Sequence, residues 1–157
     1  MSRVVAAARG WIGTPYVHQA SRRGAGCDCL GLIRGLWREL CGAEPEAPPA
    51  YTMDWSEPQG AEALWQAAAR HLAAKPLRDA APGDVILFRM REGSVAKHLG
   101  VQSAVGGHAP KAAGRDVLRA GPAFIHAYAG HGVVESPLSP PWQRRIVARF
   151  QFPKELI

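Results

Sequence analysis

The sequence predicts an α+β fold, with helices in the first half and an antiparallel sheet in the second. Three observations predict it. Apolar residues recur at helical spacing over 29–41, and again at positions 61, 64, 65, 68 and 72. From residue 85 onward the pattern changes to short β-branched and aromatic runs separated by turn residues. Helical and strand patterns do not alternate along the chain, which argues against a βαβ repeat. At 157 residues the chain reads as one domain, 1–157, large enough to bury a core without disulfides or metal.

The elements follow in order. Ser2 caps a first helix running to about Ile12, with Val4, Val5, Ala8, Trp11 and Ile12 on one face. Gly13-Thr14-Pro15-Tyr16 is a turn, and 17–26 is a polar loop holding Arg22 and Arg23. The central helix spans 29–41. Its residues 29, 32, 33, 36, 37 and 40 share a face, and Gly42 supplies a stop. Glu44 to Pro49 holds three prolines and reads as an extended connector. Ser56-Glu57-Pro58-Gln59 is a capping-box pattern opening a helix that runs to about Ala74. Ala81-Pro82-Gly83-Asp84 is a turn into the strand Val85–Met90, and His98–Gln102 is a second strand. Residues 103–121 read as a basic, glycine-containing loop with Lys111, Arg115 and Arg119; Asp116 to Arg119 also suits a strand. Phe124–Tyr128 and Val133–Ser136 form a hairpin, and Ile146–Phe152 is a last, alternating strand.

Nineteen Lys and Arg against thirteen Asp and Glu give a net charge of +6, which suits an anionic partner such as nucleic acid, a membrane surface or bacterial cell wall. The basic residues are scattered, so specific nucleic-acid binding is not indicated. No run of about 18 apolar residues spans a membrane. The short apolar run before Arg9 does not make a secretory signal. Three cysteines, at 27, 29 and 41, form no disulfide framework, and free thiols are expected. Cys27-x-Cys29 lacks the spacing of a structural zinc knuckle, so no metal and no cofactor is expected. Trp11, Trp37, Trp55, Trp65 and Trp142 read as core or edge packing, and His18, His71, His108 and His131 as surface residues.

One cysteine stands out by position. Cys29 opens the central helix, where unpaired N–H groups and the macrodipole favour an anion such as thiolate. Periodicity alone leaves two readings open: a nucleophile, or one more small residue on a core face. A nucleophile needs a base and a group to orient that base. His98 and His126 lie on strands that can be neighbours in an antiparallel sheet, His98 as base and His126 as its orienting partner.

These segments, taken together and in order, resemble the NlpC-type cell-wall cysteine peptidases, a branch of the papain-like superfamily. Gly13-Thr14-Pro15-Tyr16 resembles the Gly-x-Pro-Tyr segment, and Asp28-Cys29-Leu30-Gly31-Leu32-Ile33 the Asp-Cys-Ser-Gly-Leu-Val nucleophile motif. Pro82-Gly83-Asp84-Val85 resembles the Pro-Gly-Asp-Leu strand, and His98-Leu99-Gly100-Val101 the His-Val-Gly-Ile strand. Ile125-His126-Ala127 with Gly132-Val133-Val134 resembles the segment of the third polar residue. The resemblance implies N-terminal helices on a five- to six-stranded antiparallel sheet, with the nucleophile at a helix N-terminus. It implies Cys29 as nucleophile, His98 as base, His126 as orienting residue and Tyr16 beside the reacting carbonyl. The Cys29 N–H would contribute to the oxyanion hole, and Asp28 would meet the free amine of a stem peptide. The substrate expected is peptidoglycan, cut between γ-D-glutamate and diaminopimelate.

The subgroup most resembled is that of short peptidases encoded with phage tails and gene-transfer-agent particles. The expected partners are therefore phage-like tail or baseplate proteins, with synthesis in the cytoplasm and action in the periplasm or wall. Leu30 stands where the family has Ser, and the 103–121 loop is long. Both leave room for an alternative: a catalytically weak structural baseplate or hub module on the same fold.

Overall fold

The computed structural model describes residues 2–48, 62–106 and 121–157. Helix α1 is Arg3–Arg9, and the Ser2 hydroxyl accepts from the Val5 N–H at 3.2 Å as its N-cap. It ends about one turn before Ile12, at Gly10. Trp11 is still buried, whereas Ile12 turns out to solvent and leaves the expected apolar face. Strands β1 (Ser21–Arg22) and β2 (Gly26–Cys27) form a small antiparallel hairpin within the segment expected to be loop.

Helix α2 is Cys29–Leu40, with Gly42 in the left-handed conformation just past its end (φ +99). Its Gly31 and Gly35 each cost about 1 kcal/mol relative to Ala. Burial of Leu32, Ile33, Leu36 and Trp37, at about 1.5–3 kcal/mol for a fully buried side chain, outweighs that cost. Both glycines are sterically required: a methyl group at 31 would collide with the Ala20 carbonyl oxygen, and one at 35 with the Trp11 ring. The backbone of α2 thus lies directly against the hairpin loop and α1.

Helix α3, Ala63–His71, ends earlier than expected, because Ala73–Lys75 leaves the helix and becomes strand β3. Leu64 is buried, with Trp65, Ala68 and Leu72 packed beside it. The expected capping box at 56–59, Trp55, His108 and most of the 103–121 loop lie outside the described residues. The next strands are β4 (Val85–Phe88), β5 (His98–Val105), β6 (Pro122–Tyr128) and β7 (Gly132–Pro137). A short helix α4 (Pro140–Gln143) precedes β8 (Ile146–Gln151). The ends of the 103–121 segment are thus sheet: β5 takes in Ser103 to Val105, and β6 starts at Pro122.

Among the described residues the main sheet has six strands in the order β3-β8-β4-β5-β6-β7, every adjacent pair antiparallel. Helix α2 packs on β5 and β6, and α1 on α2 and β5, enclosing a core that includes Ala8, Trp11, Leu32, Leu36, Leu87, Val101 and Ile125. Strand β8 does not show the clean alternation expected of it, since Ala148, Arg149 and Phe150 are all buried.

Arg149 is part of a buried ionic cluster. Its Nη1 donates to Asp84 (2.9 Å) and to the Gln102 side-chain oxygen (2.8 Å), and its Nε donates to the Leu77 carbonyl (3.1 Å). Lys75 Nζ donates to the other Asp84 oxygen at 2.9 Å. At the far side of the sheet, the segment before Tyr16 is stitched to β7: Gly13 N–H donates to the Val133 carbonyl (3.0 Å) and Val133 N–H to the Thr14 carbonyl (2.9 Å).

Candidate active site

Local sequence fixes where α2 starts. Asp28 is its N-cap and is buried. One carboxylate oxygen accepts from Gly31 N–H and the other from Gln19 N–H, both at 2.7 Å. These bonds fix Cys29 as the first residue of the helix and tie the helix to the preceding loop. Tyr16 is joined to the same turn, because the flanking Pro15 carbonyl accepts from Cys27 N–H (3.0 Å) and Val17 N–H donates to the Cys27 carbonyl (3.1 Å). The tyrosine hydroxyl is held well above its ordinary pKa, at about 12, first by burial and then by Cys29, Asp28 and Cys27. It therefore faces the turn as a protonated hydrogen-bond donor.

Cys29 is half-buried, and its Sγ–H donates to the Lys97 carbonyl oxygen at 3.5 Å. Burial, followed by the negative charge of Asp28, pushes the thiol up to about 12; backbone N–H groups of Leu99, Leu30 and Cys29 itself oppose the shift. At rest the sulfur holds its proton. The Lys97 contact brings the thiol to the residue immediately before His98, so α2 meets the sheet at the start of β5.

His98 and His126 are both buried and lie on adjacent strands. His98 Nε2 is 2.8 Å from His126 Nδ1. Burial and then the neighbouring His126 hold His98 down at about 3, while burial and then His131 hold His126 down at about 4. Two neutral imidazoles thus share one hydrogen bond. His98 Nδ1 is the nitrogen left over for chemistry.

Aromatic rings enclose the pair. The Phe124 centroid lies 4.1 Å from that of His126, and Trp142 lies 5.6 Å from His98 and 5.2 Å from His126. Tyr128 stacks on His126 (5.4 Å) and carries the exposed His131 on its outer side (5.2 Å). These apolar walls exclude water and are the physical cause of the depressed pKa values.

The structure therefore gathers Tyr16, Asp28 and Cys29 at one helix end. It joins His98 to His126 by a hydrogen bond, and Lys97 links the two groups. Sequence reasoning missed Ser136, whose Oγ lies 3.0 Å from His126 Nε2. The available signal was register: His126 pairs with Val134, so alternation puts Ser136 diagonally across on the same sheet face. Trp142 was expected to pack, and here it packs against both imidazoles. His18 departs from its expected surface position: it is half-buried, with Nδ1 3.8 Å from Asp28. His71 pairs with Glu46 at 3.0 Å. All three cysteines are free, Cys27 fully buried and Cys41 half-buried. Among the described residues no three His, Cys, Asp or Glu side chains are grouped to hold a metal ion, and no helix is long and apolar enough to cross a membrane.

Comparison with known proteins places this geometry. The profile of the NlpC/P60 family matches residues 13–151. No curated protein matches. Among solved structures, an NlpC/P60 family protein from Bacillus cereus ATCC 10987 superposes with a TM-score of 0.60 at 19% identity, covering 95% of this chain and 39% of that one. A protein described as similar to lipoprotein, NLP/P60 family, from Staphylococcus aureus subsp. aureus Mu50 gives 0.56 at 18% identity, covering 95% and 40%. The chain thus spans about two-fifths of each of these two. The NlpC/p60 domain of the peptidoglycan hydrolase SagA gives 0.58 at 21% identity, covering 95% of this chain and 96% of that domain.

Proposed function

Because the chain belongs to the NlpC/P60 family, we propose that residues 1–157 form a cysteine peptidase domain that cuts peptidoglycan stem peptides. The observation that carries this reading is the placement of Cys29 at the first position of α2, with its thiol on the carbonyl of Lys97, the residue before His98 of the hydrogen-bonded His98–His126 pair. Fold likeness to the SagA domain supports the substrate class, and a net charge of +6 suits an anionic wall.

In this reading Cys29 sulfur attacks the peptide carbonyl while its proton passes to His98 Nδ1. A thiol near 12 and an imidazole near 3 do not exchange a proton at rest. Transfer accompanies attack, when the negative charge moves onto the carbonyl oxygen and the imidazolium forms beside it. The Cys29 N–H and the Tyr16 hydroxyl are the donors for that oxygen. His98 then protonates the departing amine, and water releases the acyl group from sulfur. Asp28 accepts one backbone N–H on each oxygen and so holds the helix start; each oxygen keeps a second lone pair, and we assign it the free amine of the stem peptide as well. Leu30 follows Cys29 in the chain and is half-buried against the core, where the family motif has a polar Ser, which bears on the choice of stem peptide; γ-D-glutamyl-diaminopimelate is the bond we assign. The motif resemblance supports a phage-like tail or baseplate as the setting, with action on the periplasmic or wall side.

The test is digestion of purified sacculi followed by mass analysis of released fragments. The wild-type protein releases cut stem peptides and Cys29→Ala releases none; equal release by both overturns the reading. One observation favours the alternative of a structural module: the resting thiol is a protonated donor bound to the Lys97 carbonyl. A Cys29 that alkylates no faster than free cysteine, in a protein that digests no sacculi, establishes that alternative.

A further inference from the structure

Ser136 lies on β7, and its hydroxyl is the polar atom at the far end of the histidine pair. We infer that Ser136 is a positioning residue that fixes the tautomer of His126, and through it decides which nitrogen of His98 is free to take a proton. This rests on the peptidase reading, which sets where the proton count starts; the spectrum below reads the tautomer without any turnover.

The argument is a count of protons along a buried line. His98 Nε2 faces His126 Nδ1 at 2.8 Å, and His126 Nε2 faces Ser136 Oγ at 3.0 Å. Both rings are neutral, so each carries one N–H. If His98 is to accept the Cys29 proton, it must do so at Nδ1, and its own proton must sit on Nε2. Nε2–H then donates to His126 Nδ1, which must be bare. The His126 proton is therefore on Nε2 and needs an acceptor. His126 is 1% exposed, flanked by Phe124 and Tyr128, so water does not serve. Ser136 Oγ is that acceptor.

Removing the oxygen reverses the order. An orphaned, buried Nε2–H is costly. His126 escapes the cost by moving its proton to Nδ1 and donating to His98 Nε2. His98 must then carry its proton on Nδ1, the position that should receive the thiol proton. The ring is still in place, but it is the wrong tautomer.

The experiment is imidazole 15N–1H correlation spectroscopy on histidine-labelled full-length protein, alone and as Ser136→Ala and Ser136→Thr. Expected are Nε2–H tautomers for both His98 and His126 in the wild type. Ser136→Ala shifts His126 toward Nδ1–H and lowers kcat about tenfold or more with KM unchanged. Ser136→Thr restores the tautomer and most of kcat. A wild-type spectrum with His126 as Nδ1–H overturns the inference, whether or not the Ala variant folds. So does an Ala variant that keeps both tautomer and kcat. A wild type that shows the expected tautomers, lost in Ser136→Ala, but digests no sacculi upholds this assignment while sinking the peptidase reading.

Discussion

Strand β5 carries three buried polar residues, and two of them, Gln102 and His98, each belong to a different kind of cluster. Gln102 joins Arg149, Asp84 and Lys75, a set of formal charges in which both Asp84 oxygens and three Arg149 N–H directions have partners. His98 joins His126 and Ser136, a line of neutral groups that leaves His98 Nδ1 outside it. The first set pins β3, β4, β5 and β8 together and has nowhere to send a proton. The second is held by two hydrogen bonds and a wall of aromatic rings, and each of its members can hold a proton on either side. Burial is common to both. Reversible protons and an open end separate a cluster that can do chemistry from one that holds strands in register.

The sharpest way to break that contrast is to delete one member from each. His98→Gln should lower kcat/KM by about 10²- to 10⁴-fold, the range for a lost general base, while its amide keeps a partner for His126 and limits the change in stability. Stem-peptide release measures the first and urea unfolding the second; full activity would remove His98 from the mechanism. Arg149→Ala should do the reverse. Breaking a buried ion pair costs about 3–5 kcal/mol, and Lys75 still neutralises Asp84, so the lower end of about 3 kcal/mol is expected. The fraction that stays folded should keep its kcat; a fall in kcat at unchanged stability would show that the two clusters are coupled through β5.

Acidification should sharpen the contrast further. His98 and His126 sit at about 3 and about 4 in the fold, against 6.5 ordinarily. The unfolded chain therefore binds more protons than the folded one below that value. Stability is full above about pH 6.5 and is lost as pH falls toward about 4, by at most about 1.4 kcal/mol per pH unit for each ring. Urea midpoints at about pH 7 and about pH 5 check this. Equal midpoints would mean that the imidazoles are not held neutral by their surroundings.

Much of the site was legible in the sequence because its residues sit where periodicity is strongest. Six apolar positions fixed the face of α2, and with it the place of Cys29 at the helix start. The strand segments around His98 and His126 placed two imidazoles in reach of one another. What escaped was short or patternless. Ala73-Ala74-Lys75 has the composition of a helix end, and only pairing with β8 makes it a strand. The β1–β2 hairpin has two residues a side, too few for any alternation to register. Ile12 fits the helical spacing of α1, but Gly10 ends the helix before that spacing applies. Ser136 is a lone hydroxyl on a strand, and its importance comes from a diagonal contact across β6 and β7 rather than from its neighbours in the chain.

The segment from Gly13 to Thr14 has one more consequence. Strands β3 and β7 are the outer strands of the sheet, and an outer strand is a template on which a second chain can add. β3 is three residues long and ends in Lys75. β7 has its first turn of backbone occupied by Gly13 and Thr14, and it ends in Pro137, which has no N–H to offer. Among the described residues both outer strands are short or partly occupied, which makes each a poor template for a second chain.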